Sequence, residues 1–184
     1  WRTCDGPFVA TDFRAPEGQI LNGKTQTPWT LKVRTLLPSS GDGPFPVILY
    51  GHNMSGTRTG SSLVMSQLGE LNVALVSIDA LYHGEHPSAG TSSIPALPFL
   101  GIDLENLAMD GLAILGSFVQ TNLDRLQLLE LLVQDPDIDG DGSNQLWGYM
   151  KPDPAAATET ASGCVSANDA VPALVVETVG PCSA

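Results

Sequence analysis

Positive charge is scarce in this chain: eight Lys and Arg stand against 20 Asp and Glu in 184 residues, a formal net charge of −12. No basic stripe is present to neutralise a row of phosphates, so nucleic acid is not an expected partner. Long apolar runs are also missing. Stretches such as Val73 to Ile78 and Leu126 to Val133 fall far short of the ~20 residues that cross a bilayer, and no transmembrane segment is expected. Cysteine is limited to Cys4, Cys164 and Cys182, too widely spaced for a zinc knuckle or a redox CxxC pair. Histidine is as rare: His52, His83 and His86 all lie in the first half.

What remains is a chain with 42% apolar residues, enough for one good core and a single α/β domain. It opens at Trp1 rather than Met, which fits removal of a secretory leader or a start inside a longer protein. A secreted, periplasmic or cell-surface location is the expectation. Cys164 and Cys182 flank a segment rich in Ala, Pro, Thr and Ser, where a disulfide would tie down a loose tail. Three buried free thiols are the alternative, since spacing does not fix connectivity.

Along the chain, Pro7 to Phe13 and Trp29 to Leu37 are extended segments separated by Pro16, Gly18, Asn22 and Gly23, an antiparallel lead-in. Phe45 to Tyr50 is a continuous apolar run ending abruptly at Gly51, as a buried strand does. A helix is expected from about Thr59 to Leu71, with Leu63, Val64, Leu68 and Leu71 on one side. A second buried strand, Val73 to Ile78, then completes a βαβ unit with a parallel pair. Asp79 to Leu100, broken by Pro87, Pro95 and Pro98, is irregular. From Leu104 to Leu132 apolar residues recur at helical spacing, as one long helix or two abutting ones. Leu146 to Met150 is a short strand candidate, Lys151 to Ala170 a polar stretch, and Val171 to Val179 a last strand candidate.

The sharpest chemical signal is the turn Gly51-His52-Asn53-Met54-Ser55-Gly56-Thr57-Arg58 between a strand and a helix. Ligands of α/β sheets bind outside the carboxyl ends of the strands, where such a turn offers backbone N–H groups to developing negative charge. An ordinary tight turn is the plainer alternative. The run from Phe45 to Arg58 resembles the third strand and oxyanion loop of the α/β-hydrolase superfamily. Ile78-Asp79-Ala80-Leu81-Tyr82-His83-Gly84-Glu85 resembles that family's next strand and its His-Gly loop. Phe118 to Leu128, Asp137 to Gly142 and Leu146 to Met150 are similar, in order, to the helix, acidic loop and nucleophile strand of bacterial secreted lipase-like esterases. The likeness covers residues 45 to 150.

Two departures stand out. Asn53 occupies a position usually held by Gly, which would restrict any left-handed backbone there and change the oxyanion turn in detail. After Met150 the family's Gly-x-Ser-x-Gly elbow is replaced by Lys151-Pro152-Asp153-Pro154, and no histidine follows it. A nucleophile and a late base are therefore expected from polypeptide not present here, such as a missing segment or a second chain, with loss of catalysis as the remaining explanation.

Asp135, Asp137, Asp139, Asp141 and Ser143 alternate along a loop with Gly140 and Gly142 and form a candidate structural Ca²⁺ site. No closing Glu stands twelve residues from either start, and a solvated acidic turn is the alternative. Asp79, His83 and His86 are better explained as loop structure than as a metal site. Nothing sequential aims a base at Ser55.

The sequence thus predicts an α/β protein with an incomplete α/β-hydrolase-like, mostly parallel sheet and an antiparallel N-terminal edge. Residues 1–150 form the N-terminal part of that domain, and 151–184 a tail or remnant of its C-terminal part. The resemblance implies serine-hydrolase-type cleavage of a small ester or lipid by the complete enzyme, with Gly51, His52, Asn53 and Met54 as an oxyanion-hole-like turn. The alternative is a non-catalytic secreted binding or structural module keeping the Ca²⁺ loop.

Overall fold

A computed structural model of the protein describes residues 1–15, 18, 20, 26–41, 43–68, 70–90, 93–134, 137, 138, 143, 145 and 146. The first two strands, β1 (Arg2–Asp12) and β2 (Thr27–Leu37), pair antiparallel over eleven residues each, from Arg2 opposite Leu37 to Asp12 opposite Thr27. Their side chains alternate between faces, so Cys4, Phe8 and Ala10 of β1 meet Leu31, Val33 and Leu37 of β2 in one core layer. Next come β3 (Val47–Tyr50), a 3-10 turn at Arg58–Gly60, α1 (Ser61–Leu68) and β4 (Ala74–Ile78). Strand β4 inserts between β2 and β3, giving the order β1-β2-β4-β3.

Every residue of β4 is buried. Ala74, Val76 and Ile78 face the main core, whereas Leu75 packs with Leu36 and Met65 on the α1 side. Such two-faced burial requires an unbroken apolar strand, and each buried Val, Leu or Ile contributes roughly 1.5–3 kcal/mol. The chain then forms α2 (Ala96–Phe99), the short strands β5 (Ile102–Asp103) and β6 (Ala108–Met109), and α3 (Gly111–Gln134). Leu128, Leu131 and Leu132 of α3 close the main core.

The expected mostly parallel sheet is overturned. Two of its strand pairs, β1–β2 and β2–β4, run antiparallel, the β3–β4 pair runs parallel, and β5–β6 is a separate antiparallel pair. The physical reason lies in the N-terminal strands. Each is more than twice as long as β3 or β4, so what looked like an antiparallel edge carries most of the pairing.

Three further expectations change. The apolar spacing from Leu104 does not extend the helix, because the Asp103 side chain accepts from the Glu105 and Asn106 N–H groups and turns the chain into a hairpin. There Leu104 and Leu107 are exposed. Helix α3 starts later, capped by Asp110, whose Oδ1 accepts from the N–H groups of Leu112 and Ala113. In α1 the buried side is set by Ser61 and Met65, leaving Leu63 and Leu71 in solvent. Of the strand expected at 146–150, Leu146 is described and forms a parallel bridge with Phe45; residues 147–184 lie outside the described residues, with the last strand candidate among them.

Cys4 is fully buried and disulfide-bonded. Cys164 and Cys182, the pair expected to bridge, lie outside the described residues. Among the described residues no helix is long and apolar enough to cross a membrane.

Candidate functional site

The parallel pair β3–β4 is where neighbouring strands share a carboxyl end, and the turn after β3 crosses that edge. Its conformation comes from its own side chains. Asn53 Oδ1 accepts from the Ser55 N–H at 3.0 Å, and the Asn53 carbonyl accepts from the Gly56 N–H at 3.0 Å. Asn53 is not among the residues with positive φ, so the restriction expected from its Cβ does not arise. Its side chain instead does the turn-forming. The N–H groups of Asn53 and Met54 have no hydrogen-bond acceptor among the described residues.

His52 anchors the turn to the loop after β4. Its Nε2 accepts from the Ala80 N–H at 2.9 Å, which leaves the ring proton on Nδ1 to donate to the Asn53 carbonyl at 2.8 Å. Burial lowers the His52 pKa below its ordinary value; the Asn53 carbonyl opposes that, and charge at His83 and Arg125 reinforces it. A neutral ring with its lone pair already engaged positions backbone rather than acting as a base. His83 braces the other side: Nε2 lies 2.8 Å from the Met54 carbonyl and Nδ1 lies 2.6 Å from the Leu81 carbonyl.

Beneath the turn an ion-paired cluster holds both loops. Asp79 accepts from the Arg58 N–H at 2.6 Å and from its guanidinium at 2.5 Å, while Glu85 bridges Arg58 and Lys32. Arg58 and Asp79 are both buried. Burial alone would lower the Arg58 pKa, and the Glu85 and Asp79 carboxylates more than offset it. The Glu85 carboxyl is pulled down to about 2, first by Lys32 and then by Arg58.

Between the turn and α3 lies a cleft of about 120 Å³. His52, Asn53 and Met54 form one wall, with Ala80 and His83 behind them. The opposite wall is the α3 face carrying Phe118, Thr121, Asn122 and Arg125. Phe99 and Phe118 meet edge to face at 4.9 Å and make the apolar end. Gly51 lines an adjoining hollow that shares Arg125 with the cleft. Helix α3 is held in place by Gln120, which donates to the Thr11 carbonyl and to Asp124 and accepts from the Phe13 N–H.

The structure therefore brings His52, Asn53 and Met54 to one cleft and puts Gly51 at its edge. Asp79, His83 and His86 do not converge: Asp79 binds Arg58, His83 faces carbonyls, and His86 Nε2 lies 3.4 Å from Asp124. Among the described residues no group of three His, Cys, Asp or Glu side chains could hold a metal. In the acidic loop Asp137 and Ser143 are described, and Asp135, Asp139 and Asp141 lie outside the described residues. The α3 wall was not picked out from the sequence, although Phe118, Thr121, Asn122 and Arg125 follow one another at helical spacing on a single face.

Together the fold and cleft define a protein with a mixed, mostly antiparallel sheet flanked by helices and a small, half-apolar site at the carboxyl edge of its one parallel strand pair among the described residues. No protein family, curated protein or solved structure matches the chain.

Proposed function

We propose that the cleft is the carbonyl-polarising half of a serine-type ester hydrolase whose nucleophile and base come from polypeptide outside these 184 residues. The observation that carries this reading is the pair of N–H groups at Asn53 and Met54, without acceptors among the described residues and set in a side-chain-fixed turn on the cleft. Preorganised amides of this kind act on the charge that grows on an ester oxygen during attack. A single such donor is worth about 10²–10³ in rate. His52 and His83 hold the turn so that little reorganisation is needed, and Phe99 with Phe118 offers an apolar wall to an acyl chain.

Two measurements on the purified chain test this. Methyl butyrate is expected to shift the Asn53 and Met54 amide resonances saturably, while p-nitrophenyl butyrate is hydrolysed no faster than in buffer. Amide signals that ignore the ester overturn the oxyanion role. Turnover by the isolated chain, with Ser55 intact or replaced, overturns the division of labour.

A further inference from the structure

Arg125 stands apart in a chain with so little positive charge. Arg14, Lys32, Arg34 and Arg58 each sit in an ion pair, and Arg2 also has a partner. The Arg125 guanidinium has no acceptor among the described residues, although it is half-buried and acidic side chains outnumber basic ones. No acceptor among the described residues engages its N–H donors, which are open to solvent and so available to a ligand. Its position is specific. The guanidinium lies across Gly51, where a Cβ would come within 2.8 Å of Nη2, and it lines both the cleft and the adjoining hollow. Asn53 and Met54, whose N–H groups also have no acceptor among the described residues, line the same cleft, so the donors gathered there favour negative charge.

We propose that Arg125 binds an anionic oxygen group of the ligand, specifically a carboxylate on the acyl part of the ester. This inference rests on the ester reading above and names its substrate class. A carboxylate suits the planar guanidinium fork, which offers two parallel N–H donors. The cleft, about 120 Å³, is small, with room for the carboxylate end of a short ligand beside Arg125.

The test uses the full chain and two probes that differ in one charge, monomethyl succinate and dimethyl succinate, titrated at pH 7 with amide and Arg side-chain resonances as the readout. The half-ester is expected to bind at least about tenfold tighter than the diester, a preference that weakens with salt. In Arg125→Gln the two affinities become equal with little change in melting temperature, and in Arg125→Lys part of the preference returns. Equal binding by the wild-type chain, no binding of the half-ester, or a preference that survives Arg125→Gln each overturns the proposal. If the half-ester binds through Arg125 while neither probe moves the Asn53 and Met54 amides, the anion site stands and the ester reading fails.

Discussion

Gly84 sits directly against the carboxyl group of Asp79: a Cβ on Gly84 would lie 2.5 Å from its Cγ and both oxygens. Gly84 also has φ of +54°, and the Glu85 N–H that follows donates to Asp79 Oδ2. The backbone thus closes around a carboxylate that already binds Arg58. Gly84→Ala combines a strained φ with displacement of a buried ion pair, and the expected loss is about 2–4 kcal/mol in denaturant unfolding. A change below about 0.5 kcal/mol, the scale of ordinary surface substitutions, shows that the loop yields without disturbing the pair.

Acid stability follows from two shifted groups. The folded His52 pKa lies below its ordinary 6.5, so the unfolded chain takes up the proton first. Its contribution is complete above that value and falls as pH drops below it. Glu85 acts lower: its carboxyl is held at about 2 against an ordinary 4.5, so its contribution is present above 4.5 and is lost on acidification towards 2. Because Lys32 and Glu85 are both exposed, high salt weakens the second effect. Melting temperatures measured from pH 7 to pH 2 are expected to fall in both windows, and Glu85→Gln flattens the lower one. An unchanged lower limb in that variant contradicts the role given to Glu85.

A serine, a histidine and an aspartate stand in line here without forming a nucleophilic site. Ser88 Oγ lies 2.8 Å from His86 Nδ1, and His86 Nε2 lies 3.4 Å from Asp124. Ser88 Oγ already accepts from the Tyr82 N–H, His86 Nδ1 also accepts from the Ser88 N–H, and Ser88 is not part of the cleft wall. The relay fastens the loop after β4 to α3. A fluorophosphonate is therefore expected to leave no adduct on the chain by intact mass, and Asp124→Ala to cost about 2–3 kcal/mol by stripping His86 and Gln120 of an acceptor. An adduct at Ser88 turns the relay into a catalytic one.

The strands were legible where burial is two-sided, because β4 needs an uninterrupted apolar run and Val73 to Ile78 supplies it. The turn at 51–56 was legible too, through the abrupt change from Tyr50 to Gly51. Sheet direction was not, since β1 and β2 carry patterns that fit an edge as well as the dominant pair, and register is a long-range property. Helical spacing misled between Leu104 and Met109 because the Asp103 side chain competes for backbone N–H groups, which periodicity ignores. The α3 wall stayed hidden for another reason: Thr121, Asn122 and Arg125 gain meaning from the turn some seventy residues earlier that they face.

Gly51→Ala separates the cleft's chemistry from its stability. The atom a new Cβ meets at 2.8 Å is the end of the Arg125 side chain, which can rotate away, and not rigid backbone. Gly51 has no positive φ to strain. The cost in stability is therefore small, about 1 kcal/mol or less, while the guanidinium must leave the position it shares between the cleft and the hollow. If that position selects carboxylates, Gly51→Ala weakens monomethyl succinate binding several-fold, leaves dimethyl succinate binding near wild type, and shifts the Arg125 Nε resonance in the free protein. Weaker binding of both esters by the same factor points instead to a general distortion of the turn, readable as parallel shifts at Asn53 and Met54.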